Sequence, residues 1–181
     1  MKEKIYNELL VHVPLCTHKD PKKVLIISDN AMGILDEIKK YRTIETQAIA
    51  EDIDMLRDLK ENTFDVVISE MSPNNTPIAH INRVLKDDGL AVWNNFDLKD
   101  TDATIQKFKA ITQYFKIAMP YSMLSHSKAV LASKEYHPTA DINLQRADLT
   151  DGFEVYNSDL HIALFAMPTY IKKTYLGIIK N

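Results

Sequence analysis

Few residues in this sequence have the type and spacing to do chemistry, and the best placed follow apolar runs. Lys22 to Gly33 reads Lys-Lys-Val-Leu-Ile-Ile-Ser-Asp-Asn-Ala-Met-Gly. Val24 to Ile27 is apolar with three β-branched members, preceded by Pro21, which is how a strand buried on both faces reads. A turn carrying Asp29 and Gly33 follows, and then a helical pattern with Ile34, Ile38 and Tyr41 on one face. In a doubly wound α/β sheet this first strand–turn–helix junction is where a nucleotide sits, because a helix N-terminus meets a glycine-rich loop there. Here the loop holds a single glycine. Asp29 and Gly33 are therefore either remnants of a nucleotide loop or a helix N-terminal acid and a packing glycine. Glu70 follows a second buried run, Phe64-Asp65-Val66-Val67-Ile68-Ser69. That is the end of a strand where ligands gather in such sheets; the other reading is a solvated loop acid.

The remaining reactive side chains lack motif support. His12 and His18 stand six apart with no cysteine or acid to complete a metal set, and His80, His126 and His137 are scattered. No metal site is expected. No Ser-His-Asp or Cys-His pattern is present, and Cys16, between Leu15 and Thr17, reads as a small buried residue. Tyr156, His161, Phe165 and Pro168 read as a helix packed on a sheet around a buried histidine.

The elements that must position these residues alternate. A helix is expected over 3–11, ended at His12-Val13-Pro14 because the residue before proline avoids helix. Strand 23–28 and helix 33–41 come next, then a weaker strand over 44–50 and a helix over 53–61. Strand 64–69 leads through a loop with Pro73 to a helix starting at Thr76-Pro77. Asp87-Asp88-Gly89 reads as a turn, and Leu90 to Trp93 as another strand. A helix over 101–113, capped by Asp100 or Thr101, precedes two strands, 114–119 and 129–133. The tail, 158–180, is helical with a break at Pro168. Alternating strands and helices followed by a terminal strand pair predict a doubly wound sheet with an antiparallel edge.

Composition narrows the function classes. The chain has 181 residues, enough for one domain with a sizeable core, with 45% hydrophobic and 26% charged residues. A net charge of −3 recommends neither a nucleic-acid nor an anionic-membrane partner. One cysteine excludes an internal disulfide and fits a reducing compartment. No apolar run approaches the ~20 residues that span a bilayer. Met-Lys-Glu-Lys is followed by no signal-peptide apolar region, so the chain is expected to be cytoplasmic. Four glycines are few for a nucleotide-binding α/β enzyme.

Three stretches together resemble the spermidine synthases, the polyamine aminopropyltransferases. The first is Tyr6-Asn7-Glu8-Leu9-Leu10-Val11-His12-Val13-Pro14, running on through Val24 to Ile27. The second is Phe64-Asp65-Val66-Val67-Ile68. The third is Val155-Tyr156-Asn157-Ser158-Asp159-Leu160-His161-Ile162-Ala163-Leu164-Phe165-Ala166-Met167-Pro168. The family forms are Tyr-His/Gln-Glu-Met-x-x-His-x-Pro, Phe-Asp-Val-Ile and Tyr-Asn-x-x-x-His-x-Ala-x-Phe-x-x-Pro, in the same order, so the resemblance covers nearly the whole chain. It implies a Rossmann-like domain of the S-adenosylmethionine-methyltransferase type. It also implies transfer of an aminopropyl group from decarboxylated S-adenosylmethionine, a nucleoside sulfonium co-substrate, to putrescine. No permanently bound cofactor is implied. The protein must hold the amine in line with the carbon beside the sulfonium, keep that nitrogen neutral and balance the other cations with carboxylates. On this resemblance Glu70 and Tyr6 are the catalytic candidates, Asn7 and Tyr121 contact the diamine, and Asp29, Gly33, Glu51 and Asp52 face the nucleoside. Tyr6 and Asn7 equally suit a place in the core. The family forms dimers, so a homo-oligomer is expected. A non-catalytic relative that keeps the fold and serves as a binding or partner protein is the competing function; a methyltransferase shares the fold but not the third block.

The departures from the family are specific. The family's N-terminal β-domain has no counterpart, and its Gly-Gly-Gly-Asp-Gly-Gly loop is replaced by Ser28 to Gly33. Its catalytic Asp-Ser-x-Asp-Pro reads Glu70-Met71-Ser72-Pro73, one methylene longer at the first acid and lacking the second. Its late Tyr-Pro-x-Gly-x-Trp loop leaves only Tyr121, one residue off register. Residues 41–63 are too few for the two strand–helix units the family places there, so one unit is expected to be missing. Matching Ile49-Ala50-Glu51-Asp52 to the family's adenine strand keeps register into Phe64 and is the favoured alignment; it removes the ribose carboxylate. The competing alignment makes Glu51 the ribose acid and removes the adenine strand.

Overall fold

A computed structural model describes residues 1–181. Helix α1 (Lys2–Thr17) precedes strand β1 (Lys23–Ile27), helix α2 (Met32–Ile38) and strand β2 (Glu45–Ile49). Helix α3 (Ile53–Arg57), strand β3 (Phe64–Ser69), helix α4 (Asn75–Val84) and strand β4 (Leu85–Phe96) follow. Helix α5 (Thr101–Ile111) leads to the hairpin β5 (Ile117–Ser122) and β6 (Lys128–Ser133). Three short helices end the chain: α6 (Leu144–Leu149), α7 (Ser158–Leu164) and α8 (Thr169–Thr174).

The six strands lie in the order β2-β1-β3-β4-β6-β5. The first four are parallel, and β6 is antiparallel to both β4 and β5. The expected doubly wound sheet with an antiparallel edge is present. Successive residues of each central strand feed opposite cores. Val24, Ile26, Val66, Ile68, Leu90 and Val92 face the α1/α2 side. Leu25, Ile27, Val67, Ala91 and Trp93 face the α4/α5 side. This is why these strands read as unbroken apolar runs rather than alternating ones.

Several boundaries differ from the sequence reading for identifiable reasons. Helix α1 does not stop at Pro14 but contains it. The missing N–H and ring clash of a mid-helix proline are costly. They are outweighed by burial of every residue from Glu8 to Thr17, by a Thr17 Oγ1 bond to the Val13 carbonyl at 2.8 Å, and by the Arg146 guanidinium, which donates to the carbonyls of Leu15, His18 and Lys19. The Asp87-Asp88-Gly89 turn lies inside β4 as an irregularity. The β3–β4 ladder jumps from Phe64–Leu85 to Val66–Leu90, so residues 86–89 bulge between two registers. Helix α6 falls in a stretch for which the sequence predicts no element; Asn143 caps it, accepting from the Arg146 N–H.

The favoured alignment of residues 49–52 is overturned by strand position. In a doubly wound sheet the strand after β1 sits beside β1, and the next lies further out. Strand β2 pairs directly with β1, from Lys23–Glu45 to Ile27–Ile49. It therefore occupies the ribose-acid position, and the unit without a counterpart is the outer one. Glu45 to Ala48 are exposed along the resulting edge.

Candidate active site

The chain leaves β1 for β2 on one side and returns to β3 on the other, so the topological switch point falls between β1 and β3. Such a point opens a crevice at the carboxyl ends of the strands. The first polar side chain after each buried run converges there: Ser28 from β1, Glu70 from β3 and Asn94 near the end of β4. The Glu70 N–H donates to the Ile27 carbonyl at 2.9 Å, locking the two strand ends together. Helix α1 passes over them and delivers Tyr6.

Glu70 is the hub. Its Oε1 accepts from the Tyr6 hydroxyl and, at 3.3 Å, from Asn94 Nδ2. Its Oε2 accepts from the Ser28 hydroxyl. Asn94 Nδ2 also donates to the Tyr6 oxygen, and the Asn30 N–H donates to Ser28 Oγ at 3.0 Å. Burial, and then the role of donor to the Glu70 carboxylate, push the Tyr6 phenol above its ordinary pKa and keep it neutral. Four side chains from α1, β1, β3 and β4 thus form one closed network around a carboxylate, with neutral donors throughout. A carboxylate so held can fix an amine or a cation in place.

The nucleoside-side candidates divide. Asp29 Oδ1 accepts from the Glu51 N–H at 3.0 Å, tying the β1 loop to the end of β2. Partial burial, and then the charges of Asp29 and Glu70, raise the Glu51 carboxyl. Glu51, Asp29 and Glu70 therefore share one acidic crevice. Asp52 is instead the N-cap of α3, accepting from the N–H groups of Asp54 and Met55 at 2.7 and 3.3 Å; a cap of this kind is a structural use. Gly33 is a packing glycine, since a Cβ there would collide with the Asn7 carboxamide. Asn7 correspondingly lies against the β1–α2 segment and fills space there. Tyr121 does not serve a substrate: it is 1% exposed, and its hydroxyl donates to the Leu9 carbonyl at 3.2 Å.

Ser28 and Asn94 were missed by sequence reasoning. The available signal was positional, since each stands at or just past the carboxyl end of a buried run. His161 is a buried structural residue. Its Nε2–H donates to the Pro138 carbonyl at 2.8 Å, and Nδ1 accepts from the Tyr156 hydroxyl at 2.6 Å. His18, Asp65 and Asp88 lie close enough to share a metal ion, at the opposite end of the sheet, but their atoms are largely engaged. Asp65 accepts from Lys86 Nζ and from the N–H groups of Lys22 and Lys23. His18 Nδ1 accepts from the Asp20 N–H and Asp88 from the Tyr136 hydroxyl, while His18 Nε2 stays buried without a hydrogen-bond partner, 3.7 Å from Asp88 Oδ2.

Residues 3–56 match the spermine/spermidine synthase domain. The polyamine aminopropyltransferase of Clostridium beijerinckii is 25% identical over 225 residues, covering 97% of this chain and 79% of that protein. Among solved structures, spermidine synthase from Thermotoga maritima superposes with a TM-score of 0.85 at 24% identity, covering 98% of this chain and 75% of that one. A spermidine synthase in complex with the transition-state analogue AdoDATO also gives 0.85, at 23% identity, covering 98% of this chain and 76% of that one.

Proposed function

We propose that this chain is a diverged member of the spermidine synthases, an aminopropyltransferase that joins the aminopropyl group of decarboxylated S-adenosylmethionine to an amine such as putrescine; the match of residues 3–56 and the similarity to polyamine aminopropyltransferases support the reading. The observation that carries this reading is the convergence of Tyr6, Ser28 and Asn94 on Glu70 at the switch point. In this reaction the amine nitrogen attacks the methylene beside the sulfonium, the C–S bond breaks, and methylthioadenosine leaves with the electron pair. The new ammonium then sheds a proton. Glu70 accepts hydrogen bonds from the attacking amine and takes up that proton, with Tyr6 and Asn94 fixing its orientation. Asp29 and Glu51 face the nucleoside. The sulfonium brings its own leaving group, so no permanently bound cofactor enters the scheme. The chain acts in the cytoplasm as a homo-oligomer; gel filtration returning a monomer mass would remove the latter.

A second reading, a relative that binds without turnover, is favoured by one specific feature. The Asn7 carboxamide packs against Gly33, in the part of the crevice that glycines keep open in the family. Calorimetric titration with methylthioadenosine and with decarboxylated S-adenosylmethionine separates the two. Saturable binding of both, with putrescine turnover abolished in Glu70→Gln, supports the enzyme. No heat at millimolar ligand from folded protein leaves the non-catalytic reading.

A further inference from the structure

Past β4, the carboxyl end of the sheet continues into a groove around the β5–β6 hairpin. Three clefts adjoin there, of about 530, 390 and 260 Å³, and His126 lines all of them. The first lies between α1 and the hairpin, the second beneath Asn95 and Phe96, and the third extends to Met167 and Tyr170. Their charged walls are Lys2, Lys99 and Lys128, against one acid, Asp97. Asp97 Oδ1 accepts from the Lys99 N–H at 2.9 Å and is turned into its own loop. Lys128 Nζ is held by the Ser122 hydroxyl at 3.2 Å, which fixes the ammonium and leaves it further donors. Lys107 adds a cation nearby, lying over the Phe96 ring at 5.2 Å.

The contrast with the neighbouring crevice is one of sign. Over β1–β3 the charged side chains at the crevice are Asp29, Glu51 and the part-exposed Glu70; the clefts beyond β4 are lined by Lys2, Lys99 and Lys128 against Asp97, an excess of positive charge. A concave surface lined by one sign of charge concentrates ions of the other. A polycation suited to the crevice is repelled by the groove, and an anion is attracted to it.

We propose that this groove is an anion-binding site for a small carboxylate or phosphate ligand, with Lys99 and Lys128 supplying the charge and His126 and Ser127 supplying hydrogen bonds. The site stands on its own geometry and is independent of aminopropyl transfer. The test is amide NMR of the intact chain, titrated at low ionic strength with succinate, with inorganic phosphate and with putrescine. Succinate or phosphate shifts the amides of 97–99 and 125–128 saturably, putrescine does not, and the tighter anion identifies the preferred head group. Lys99→Gln and Lys128→Gln each weaken binding about tenfold, and raising salt to about 0.15 M weakens it further. Lys99 is exposed, so its variant keeps the fold and reports on binding alone. No saturable shift from either anion, an equal response to putrescine, or an unchanged response in the double variant would overturn the proposal.

Discussion

At the residue scale, the arrangement around Glu70 separates stability from chemistry. Glu70→Gln retains the volume and one acceptor oxygen for Tyr6 and Asn94 while removing the charge and the proton acceptor; the Ser28 hydroxyl, unlike the fixed amides around Glu8, can rotate to accept from the new NH₂. It is expected to leave the melting temperature within a few degrees of the parent and to lower putrescine turnover by ~10²–10⁴-fold, the range of a positioned acid–base group. A variant that turns over normally would remove Glu70 from the mechanism. Tyr6→Phe deletes the hydroxyl that bridges Asn94 and Glu70. One net hydrogen bond of this kind stabilises by about 1 kcal/mol, so calorimetry should show a melting temperature roughly 2–4 °C lower. Glu70 was legible because it follows a buried run. Ser28 and Asn94 were not, because a lone serine or asparagine after a strand is common and only three-dimensional convergence gives it meaning.

At the scale of elements, α1 decides whether Tyr6 reaches the crevice, and two buried polar anchors hold α1. Glu8, with 0% exposure, accepts from the backbone N–H groups of Glu154, Val155 and Tyr156 at 2.8 to 3.3 Å. His12 donates from Nε2 to Glu37 at 2.8 Å and accepts from the Tyr41 hydroxyl at 2.7 Å. Glu8→Gln would turn an NH₂ toward amide donors and leave buried groups unpaired, a loss of about 3 kcal/mol. Thermal melting should fall by roughly 6–12 °C, and Tyr6-dependent ligand binding should weaken with it. An unchanged melt would show that the carboxylate is not the anchor. The first and third sequence blocks are thus linked physically: Glu8 of one binds the amides that open the other. Sequence pattern placed both blocks but could not show that they touch, because the contact joins a side chain to backbone groups about 150 positions away.

For the molecule as a whole, the buried histidines set the response to acid. Burial pushes the His161 imidazole down to about 4. Burial likewise lowers His12 and His18. Unfolded, each binds a proton near pH 6.5; folded, each stays neutral until lower pH. The unfolded chain therefore binds more protons below that pH, and stability, complete above it, declines as pH falls toward 4. His161 alone accounts for a loss on the order of 3 kcal/mol. Burial opposes ionisation of Glu37 and Asp65, but hydrogen bonds to His12 and Lys40, and to Lys86 and two backbone amides, hold both low. Their contribution is lost only at more acidic pH. Urea midpoints measured from pH 7.5 to 4.5 should fall steadily; a flat profile would show that the histidines are protonated within the fold.

The sequence by itself determined the layered α/β architecture, the strand pair at the antiparallel edge and the position of Glu70. These depend on local rules: runs of β-branched residues make strands buried on both faces, and acids after such strands meet at one end of the sheet. Only the tertiary structure decided which strand–helix unit lacks a counterpart, because strand neighbours are fixed by pairing rather than by order along the chain. It also decided that α1 continues through Pro14, since burial and the Arg146 cap outweigh the missing N–H. Tyr121 and Asp52 show the same limit from the other side. Both have residue types that suit a site, yet one hydroxyl is consumed by a distant carbonyl and one carboxylate by its own helix. The different charge on the two sides of β4 belongs wholly to the fold, because Lys99 and Lys128, which line one cleft, and Lys2, which lines an adjoining one, come to the same end of the sheet only when the hairpin closes against α1 and the β4–α5 loop.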